Sequence, residues 1–246
     1  MNKIGIIITT FLKDEALKSC IDSVLKFSPK QEHVILIGDQ NPTHTKELNY
    51  NYLPNCIYNP LPYDFGLSAS RNYLVKEAKD LKCDYILLMA DNIQFIAKYD
   101  FQPIINFLES DKNNGLVSFD IDYAWHYAMK IENGEFVFSD IIEPYIFEGI
   151  IYHRYDIVPN FWLGKTEVIL QNLWDEKLKT TEHEDWAYRL KTQTPYKAFA
   201  TSLVKAKRIV DRTGKYKEMT QRHLTDEFRD IVRQKWGLTG WIRLPR

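Results

Sequence analysis

The chain has 246 residues, of which 45% are hydrophobic and 26% charged, so it can bury a sizeable core, and disordered and fibrous classes are excluded. Its 32 basic and 33 acidic residues give a net charge of −1, so the chain lacks the excess of positive charge that non-specific nucleic-acid binding requires. Three cysteines without Cys-x-x-Cys spacing argue against a disulfide framework or a structural zinc site, and we expect reduced core thiols at Cys20, Cys56 and Cys83.

The first apolar segment, residues 4–8, is too short for a membrane span or for the core of a secretory leader. A span needs about 20 apolar residues, and no other segment of the sequence reaches that length. We therefore expect a cytoplasmic protein without a transmembrane segment. A peripheral contact with the inner face of the membrane stays open.

Apolar strands alternate with amphipathic helices through the first 120 residues. Strands are predicted at residues 4–10, 33–37, 56–58, 84–89 and 115–119. Helices are predicted at residues 14–27, 68–81 and 101–109. Because apolar strands of this kind need packing on both faces, the pattern favours a mostly parallel sheet flanked by helices. Residues 1–120 are thus predicted to form the nucleotide-binding half of an α/β fold.

Aromatic residues crowd the next stretch, up to about residue 160. The Asn133-Gly134 turn signal between two alternating runs predicts a hairpin with loops lying over the sheet. Helices follow at residues 166–172 and 182–191, the second with Thr181 and Glu184 at capping-box spacing. Residues 224–246 predict an amphipathic surface tail. With no repeat or linker, we expect one domain, whose acceptor and catalytic half is residues 121–223.

Polar residues follow several of the predicted strands: Thr9 and Thr10, Asp39, and the segment Ala90 to Asn92. In open α/β sheets ligands bind outside the carboxyl ends of the strands, so we expect these residues to converge on one crevice. No Walker sequence or Gly-x-Gly-x-x-Gly motif is found, which argues against P-loop enzymes and Rossmann dehydrogenases. A nucleotide at this edge must then be recognised by Asp39, by backbone groups and by residues 66–72.

Five sequence blocks occur in order: IGIIITTF, ILIGDQN, DFGLSASRN, YILLMADNIQF and WDEKLKTTEHEDWAYRL. Together they resemble family-2-like glycosyltransferases of the GT-A fold over roughly residues 4–212. The segments GLSASRN, NFWL, WDE and EHED look most like β-1,4-N-acetylgalactosaminyltransferase-like enzymes and their bacterial relatives. The resemblance implies transfer of a sugar from a nucleotide-activated donor, the co-substrate, to an acceptor hydroxyl.

The resemblance also implies a set of donor-binding residues. The acid that binds the base corresponds to Asp39, and the loop after the first strand to Thr9 and Thr10. The glycine, arginine and asparagine beside the donor correspond to Gly66, Arg71 and Asn72. Taken alone, a helical arginine is a solvated charge and a lone glycine marks a turn, so the joint pattern carries this prediction.

The family's metal-binding Asp-x-Asp motif aligns with Ala90-Asp91-Asn92, which has lost both outer acids. We therefore expect either no metal or Mn²⁺ or Mg²⁺ weakly bound through Asp91, with Asp91 and Asn92 still beside the donor. The relatives' late metal-binding histidine aligns with an arginine, whose guanidinium binds diphosphate oxygens without a metal. This predicts metal-independent transfer, with a degenerate site as the rival. The candidate cations are Arg212, Lys205 and Lys207.

The acidic cluster of residues 182–185 is the strongest chemical signal. Neighbouring carboxylates raise one another's proton affinity, which suits a general base, although the helix dipole alone also favours acids at this position. The family pattern implies that Asp185 is the base of an inverting displacement and that Glu184, the second catalytic residue, holds the acceptor. Glu184 and Glu182 are the alternative bases, and Glu182 is also expected to contact the acceptor. His183 either orients a carboxylate or is a satisfied polar residue.

Trp162 and Trp186 flank the acidic cluster and are predicted to stack on the acceptor sugar, with core packing as the alternative. The setting we expect is synthesis of surface polysaccharide or of a glycan on a lipid-linked acceptor. Two alternatives stay open. One is a transferase that uses a CMP-sugar or CDP-polyol donor, and the other is a non-catalytic carbohydrate-binding protein of the same fold.

Overall fold

The computed structural model describes residues 2–27, 29–41, 50, 53–121, 126–140, 143–209 and 226–244. In this part of the chain, nine strands form one large sheet: β1 (Ile4–Thr10), β2 (His33–Asp39), β3 (Cys56–Pro60), β4 (Tyr85–Ala90), β6 (Asn114–Phe119), β9 (Glu143–Phe147), β10 (Ile150–Tyr155), β11 (Trp162–Lys165) and β12 (Lys197–Thr201). Two small sheets contain β5 (Ile93–Phe95), β7 (Ala128–Glu132), β8 (Glu135–Ser139), β13 (Ala206–Arg208) and β14 (Ile242–Arg243). The helices are α1 (Asp14–Lys26), α2 (Leu67–Asp80), α3 (Gln102–Ser110), α4 (Thr166–Gln171), α5 (Glu182–Gln193) and α6 (Asp226–Trp236).

The large sheet is mostly parallel, as predicted. Its strand order is β3-β2-β1-β4-β11-β6-β12-β10-β9. Strands β1 to β4 are parallel, and β11 lies antiparallel between β4 and β6. Because β6 therefore runs in the same direction as β4, the carboxyl ends of β1, β4 and β6 lie at the same edge of the sheet.

Successive residues of the central strands pack into hydrophobic cores on opposite faces of this sheet. Ile6 and Ile8 belong to a core cluster with α1 and α3, whereas Ile7 belongs to a second cluster with α2 and α4. Side chains alternate between the faces of a strand, so a sheet covered on both faces needs apolar residues at every position. The three cysteines are free and buried, as predicted.

Three features of the second half refine or correct the predictions. The hairpin forms as β7 and β8 around Asn133 and Gly134, but residues 143–155 extend the edge of the large sheet instead of lying over it. Thr181 precedes α5 with a positive φ of 64° and makes no side-chain capping bond, so the capping-box prediction is wrong. Helix α6 forms within the predicted tail, and its Phe228 and Val232 pack into a third core cluster.

Among the described residues, none of the helices combines the length and the apolar character needed to cross a bilayer.

Candidate active site

The carboxyl ends of β1 and β4 and the N-terminus of α2 enclose a crevice with a cavity of about 320 Å³. Strand ends in a parallel sheet converge on one edge, which is why residues distant in sequence meet here. Six residues predicted to bind the donor line this crevice: Thr9, Thr10, Gly66, Arg71, Asp91 and Asn92.

A second lobe of about 220 Å³ continues the crevice. Asn160 and Arg208 line both lobes, so they lie at the junction between them. Ile93, Ile121 and Pro159 give the second lobe apolar walls, to which His183 and Asn92 add polar groups. The two lobes therefore offer a polar compartment and a less polar one that share a boundary.

A buried ion pair joins the loop after β1 to the end of β4. The Asp91 carboxylate lies 3.4 Å from Nζ of Lys13 and accepts a 3.0 Å hydrogen bond from the Thr10 hydroxyl. Burial raises the pKa of the Asp91 carboxyl, while Lys13 and Thr10 lower it. The sequence analysis missed Lys13, although its position three residues after a strand that ends at the crevice was a usable signal.

Gly66 immediately precedes α2 and brings the start of that helix to the crevice. Two observations explain why this position is a glycine. Its φ of 94° is one that other residues rarely adopt, and a Cβ here would lie 2.9 Å from Cγ and 3.1 Å from Cα of Lys179. The Gly66 amide donates a 2.8 Å hydrogen bond to Oε1 of Gln40. The partial positive charge of the α2 N-terminus is therefore directed at the crevice.

Arg71, in the second turn of α2, forms a buried ion pair with Glu182. The distance from Nη1 to Oε1 is 2.6 Å, and the two side chains are 5% and 6% exposed. The Arg71 guanidinium carbon also lies 5.3 Å from the ring centroid of Trp174. Glu182 was predicted to contact the acceptor, but its carboxylate is instead engaged in orienting Arg71, which lines the crevice.

Arg208 is held at the junction of the lobes by backbone pairing. Strand β13 pairs with β5 so that Arg208 lies opposite Ile93. The Ile209 amide donates a 2.8 Å hydrogen bond to the Asn92 carbonyl, and Nδ2 of Asn92 donates to the Ile209 carbonyl at 2.9 Å. These contacts fix the main chain beside Arg208, a residue that the sequence analysis did not single out.

The cationic residues predicted to replace the metal's charge are not found in the crevice of the described structure. Lys205 and Lys207 are exposed and line neither lobe. Arg212 lies outside the described residues. The first lobe is nevertheless lined by four cationic side chains against two acidic ones, a balance that suits an anionic ligand: Lys13, Arg71, Lys179 and Arg208 against Asp64 and Asp91.

The model of the family described as Glycosyl transferase family 2 matches residues 5–173, more than half of the chain. The chain belongs to this family.

Crystal structures of S. aureus TarS share the fold of this chain. TarS 1–349 in complex with UDP-GlcNAc aligns with a TM-score of 0.60 and 13% identity, covering 88% of this chain and 60% of that one. The complex with UDP aligns with a TM-score of 0.59 and 12% identity over 96% of this chain and 72% of that one. The chain spans 42% of the longer TarS structure. A comparison with curated proteins gives no significant match. The family match and these structures confirm the predicted GT-A fold.

The residues at the family's metal position do not fit a divalent cation. Ala90 offers no side-chain ligand, Asn92 donates its amide to Ile209, and Asp91 is paired with Lys13. Hard cations require several anionic oxygens. Within the described ranges, no group of three or more His, Cys, Asp or Glu side chains is placed to hold a metal ion.

Two residues predicted to bind the donor do not line the crevice of this family member. Asp39 is completely buried, and its carboxylate accepts hydrogen bonds from the Asn41 amide and the Tyr58 hydroxyl. Asn72 donates to the Trp174 carbonyl at 2.8 Å and accepts from the Trp174 amide at 2.9 Å. Asn72 therefore anchors a distant loop to α2, which corrects its predicted role.

The predicted base, Asp185, faces α6 and not the crevice. It is completely buried, and its carboxylate accepts hydrogen bonds from Nε of Arg189 at 3.0 Å, Nζ of Lys235 at 3.1 Å and Nε1 of Trp236 at 2.9 Å. A carboxylate surrounded in this way by internal donors links α5 to α6 and has no route to a sugar hydroxyl. The structure thus does not support the assignment of Asp185 as the base.

Glu184 is also buried and lines neither lobe. Burial raises its pKa to about 7, with Glu182 acting in the same direction and its own amide and Arg229 opposing it. The predicted contact between Glu184 and an acceptor is therefore not supported. Within the four-residue cluster, His183 alone lines a lobe of the crevice.

Three tryptophans form a stack inside the protein. The ring centroids of Trp162 and Trp186 are 5.7 Å apart and those of Trp174 and Trp186 are 5.1 Å apart. None of the three is more than 5% exposed. A sugar cannot reach these faces, so the prediction that Trp162 and Trp186 stack on the acceptor is wrong and the core alternative holds.

Proposed function

We propose that this family member transfers a sugar from a nucleotide-activated donor to an acceptor hydroxyl by a single inverting displacement that needs no metal ion. The observation that carries the proposal is the buried ion pair between Lys13 and Asp91. It lies where the relatives' metal motif aligns, and it puts the Lys13 ammonium group in the wall of the first lobe, which we assign to the donor.

The positive charges around the crevice explain how the departing nucleotide is stabilised. As the bond between sugar and phosphate breaks, the departing nucleotide gains negative charge, and fixed cations aimed at that position lower the barrier. Lys13, Arg71 and Arg208 line the donor lobe, and the α2 N-terminus adds partial positive charge. Guanidinium groups bind phosphate oxygens in a bidentate manner. Arg212 remains a further candidate for this role.

The donor we propose is a UDP-sugar. Support comes from the shared fold with TarS, whose crystal structures contain UDP and UDP-GlcNAc. We place the reaction in the synthesis of cell-surface glycan, in the cytoplasm or at the inner face of the membrane, with a glycan or lipid-linked acceptor. The narrower likeness to β-1,4-N-acetylgalactosaminyltransferase-like enzymes stays a prediction.

A thermal-shift series tests donor and metal together, because a ligand that binds only the native state raises the melting temperature. The protein is heated with UDP, GDP, CDP or CMP, each in Mn²⁺ and in EDTA. We expect UDP to give a shift that survives EDTA. A shift that requires Mn²⁺ would overturn metal independence, and a shift with CMP or CDP alone would favour the alternative donors. No shift with any nucleotide would favour the non-catalytic alternative.

Turnover and its stereochemistry form the second test. Release of UDP from UDP-GlcNAc, with water as the acceptor, is followed in EDTA. Because the donor is an α-glycoside, an inverting displacement yields β-GlcNAc, which proton NMR detects before the anomers equilibrate. An α product would contradict the single displacement.

A further inference from the structure

The four residues that begin α5 separate into different environments. Glu182 pairs with Arg71, Glu184 is buried, and Asp185 is enclosed by donors from α5 and α6. His183 is half-buried and lines the second lobe of the crevice. The titratable side chain that this cluster presents to the crevice is therefore an imidazole.

The surroundings of His183 leave its ring neutral with one nitrogen committed. Burial lowers the pKa of His183, and Arg71 lowers it further, whereas Glu182 and a hydrogen bond with the Val158 backbone raise it. Because that bond favours the protonated ring, it is one in which a ring N–H donates to the Val158 carbonyl. The other ring nitrogen then carries a lone pair, which is what a base requires. Among the described residues that line this lobe, Arg208 carries the charged side chain.

The position of His183 relative to the two lobes supplies the geometry. The first lobe carries the cations that suit the donor diphosphate, and the second adjoins it at Asn160 and Arg208. A sugar attached to that diphosphate therefore reaches the junction, and an acceptor hydroxyl enters from the second lobe. His183 lies in the wall of that lobe.

We propose that His183 is the general base that removes the proton from the acceptor hydroxyl, an inference that rests on the sugar transfer proposed above. The acceptor oxygen forms a bond to the anomeric carbon while its proton passes to the lone-pair nitrogen of His183. The bond from the anomeric carbon to the phosphate oxygen breaks, and its electron pair leaves with the nucleoside diphosphate beside Lys13 and Arg208. The imidazolium returns the proton to solvent after the products leave.

The test is the variant His183→Gln, whose amide still supplies an N–H for the Val158 carbonyl but is not basic. Release of UDP from UDP-GlcNAc is measured across a pH series, and UDP affinity is measured by thermal shift. We expect kcat to fall by about 10²–10⁴-fold with UDP affinity unchanged. The acidic limb of the wild-type pH profile should disappear, and added imidazole should restore part of the rate to His183→Ala. His153→Gln, on β10 and outside both lobes, is the matched control and should behave as wild type.

The outcomes separate this inference from the proposed function. If the wild type binds UDP and releases it from the donor while His183→Gln stays within a few-fold of that rate, His183 is not the base. Equal losses of turnover and UDP affinity, without rescue by imidazole, would also overturn the inference, because they indicate a structural role. A wild type that neither binds nucleotides nor consumes the donor would overturn the proposed function itself, and this inference with it.

Discussion

Nζ of Lys13 lies 3.4 Å from the carboxylate of Asp91, and both side chains are more than nine-tenths buried at the edge of the crevice. An ion pair removed from water in this way holds its partners in place, because separating them leaves a charge uncompensated. Asp91 is thus an anchor for a cation supplied by the chain itself.

Lys13→Met tests this role of the ion pair. We expect UDP affinity to fall about 10- to 100-fold, since a hydrogen bond to a charged group contributes about 1.5–3 kcal/mol. Calorimetric titration with UDP in EDTA measures the change. Lys18→Met is the control, because Lys18 lies exposed on the nearby helix α1 and pairs with Asp22 at 2.8 Å. Equal affinities for Lys13→Met and Lys18→Met would remove Lys13 from the donor site.

The pair Arg71–Glu182 makes a second prediction, about stability. Glu182→Gln should reduce the free energy of unfolding by about 3–5 kcal/mol, because it leaves the Arg71 guanidinium buried without its counter-charge. Urea unfolding measures this loss. The control is Glu143→Gln, whose partner Arg154 and own side chain are 43% and 73% exposed, so a change of at most about 1 kcal/mol is expected. Similar losses in the two variants would contradict the role given to the buried pair.

The parts of the fold that were predicted correctly are those in which local pattern and tertiary burial agree. Strands β1, β2 and β4 are apolar runs because both of their faces are covered, and α1 and α2 carry their apolar residues at helical spacing. Strand β11 escaped prediction because it has only four residues and ends in Lys165, which is buried beside Glu109. Such a strand forms because it pairs with β4 and β6, and the periodicity of a single sequence contains no information about these long-range pairings.

The sequence predicts correctly those site residues whose position follows from the backbone topology. It fails for those whose position depends on the direction of the side chain. Thr9 and Thr10 end β1 and Asp91 directly follows β4, so the converging edge of the sheet suffices to bring them together. His183 and Asp185 are two positions apart in the cluster, and the rotation of α5 decides which of them meets the crevice. That rotation depends on contacts with Trp236, about fifty residues away in sequence. The acidic cluster therefore pointed to the turn of α5 that reaches the crevice, but the side chain chosen from it, Asp185, does not line the crevice.

Asp185→Asn distinguishes the two candidates for the base. Removing this charge leaves Arg189 and Lys235 without their shared counter-charge, so the free energy of unfolding should fall by about 3–5 kcal/mol. The rate of UDP release per folded molecule should nevertheless remain close to that of the wild type. Asp230→Asn, which affects an exposed pair with Arg233, controls for loss of a surface charge on α6. A folded Asp185→Asn protein that binds UDP but has lost turnover would restore Asp185 as the base.

Glu184 makes stability depend on pH in a direction opposite to that of an ordinary paired carboxylate. Burial raises its pKa from 4.5 to about 7 in the folded protein, so between these values the native state binds a proton that the unfolded state releases. The contribution of Glu184 to the free energy of unfolding is therefore fully present below about pH 4.5, and it is lost as the pH rises through about 7. The shift corresponds to roughly 3 kcal/mol.

Glu184→Gln isolates this effect, because the amide resembles the protonated carboxyl and does not titrate. Urea unfolding of the wild type and the variant is compared from about pH 5 to pH 8. Since the charged groups facing Glu184, namely Glu182 and Arg229, are retained in the variant, the difference between the two curves reports the loss of titration at position 184. The variant should gain stability relative to the wild type as the pH rises, by up to roughly 3 kcal/mol. Glu15→Gln, at an exposed position on α1, should give a curve parallel to the wild type. A parallel curve for Glu184→Gln as well would mean that Glu184 stays ionised in the folded protein across this range.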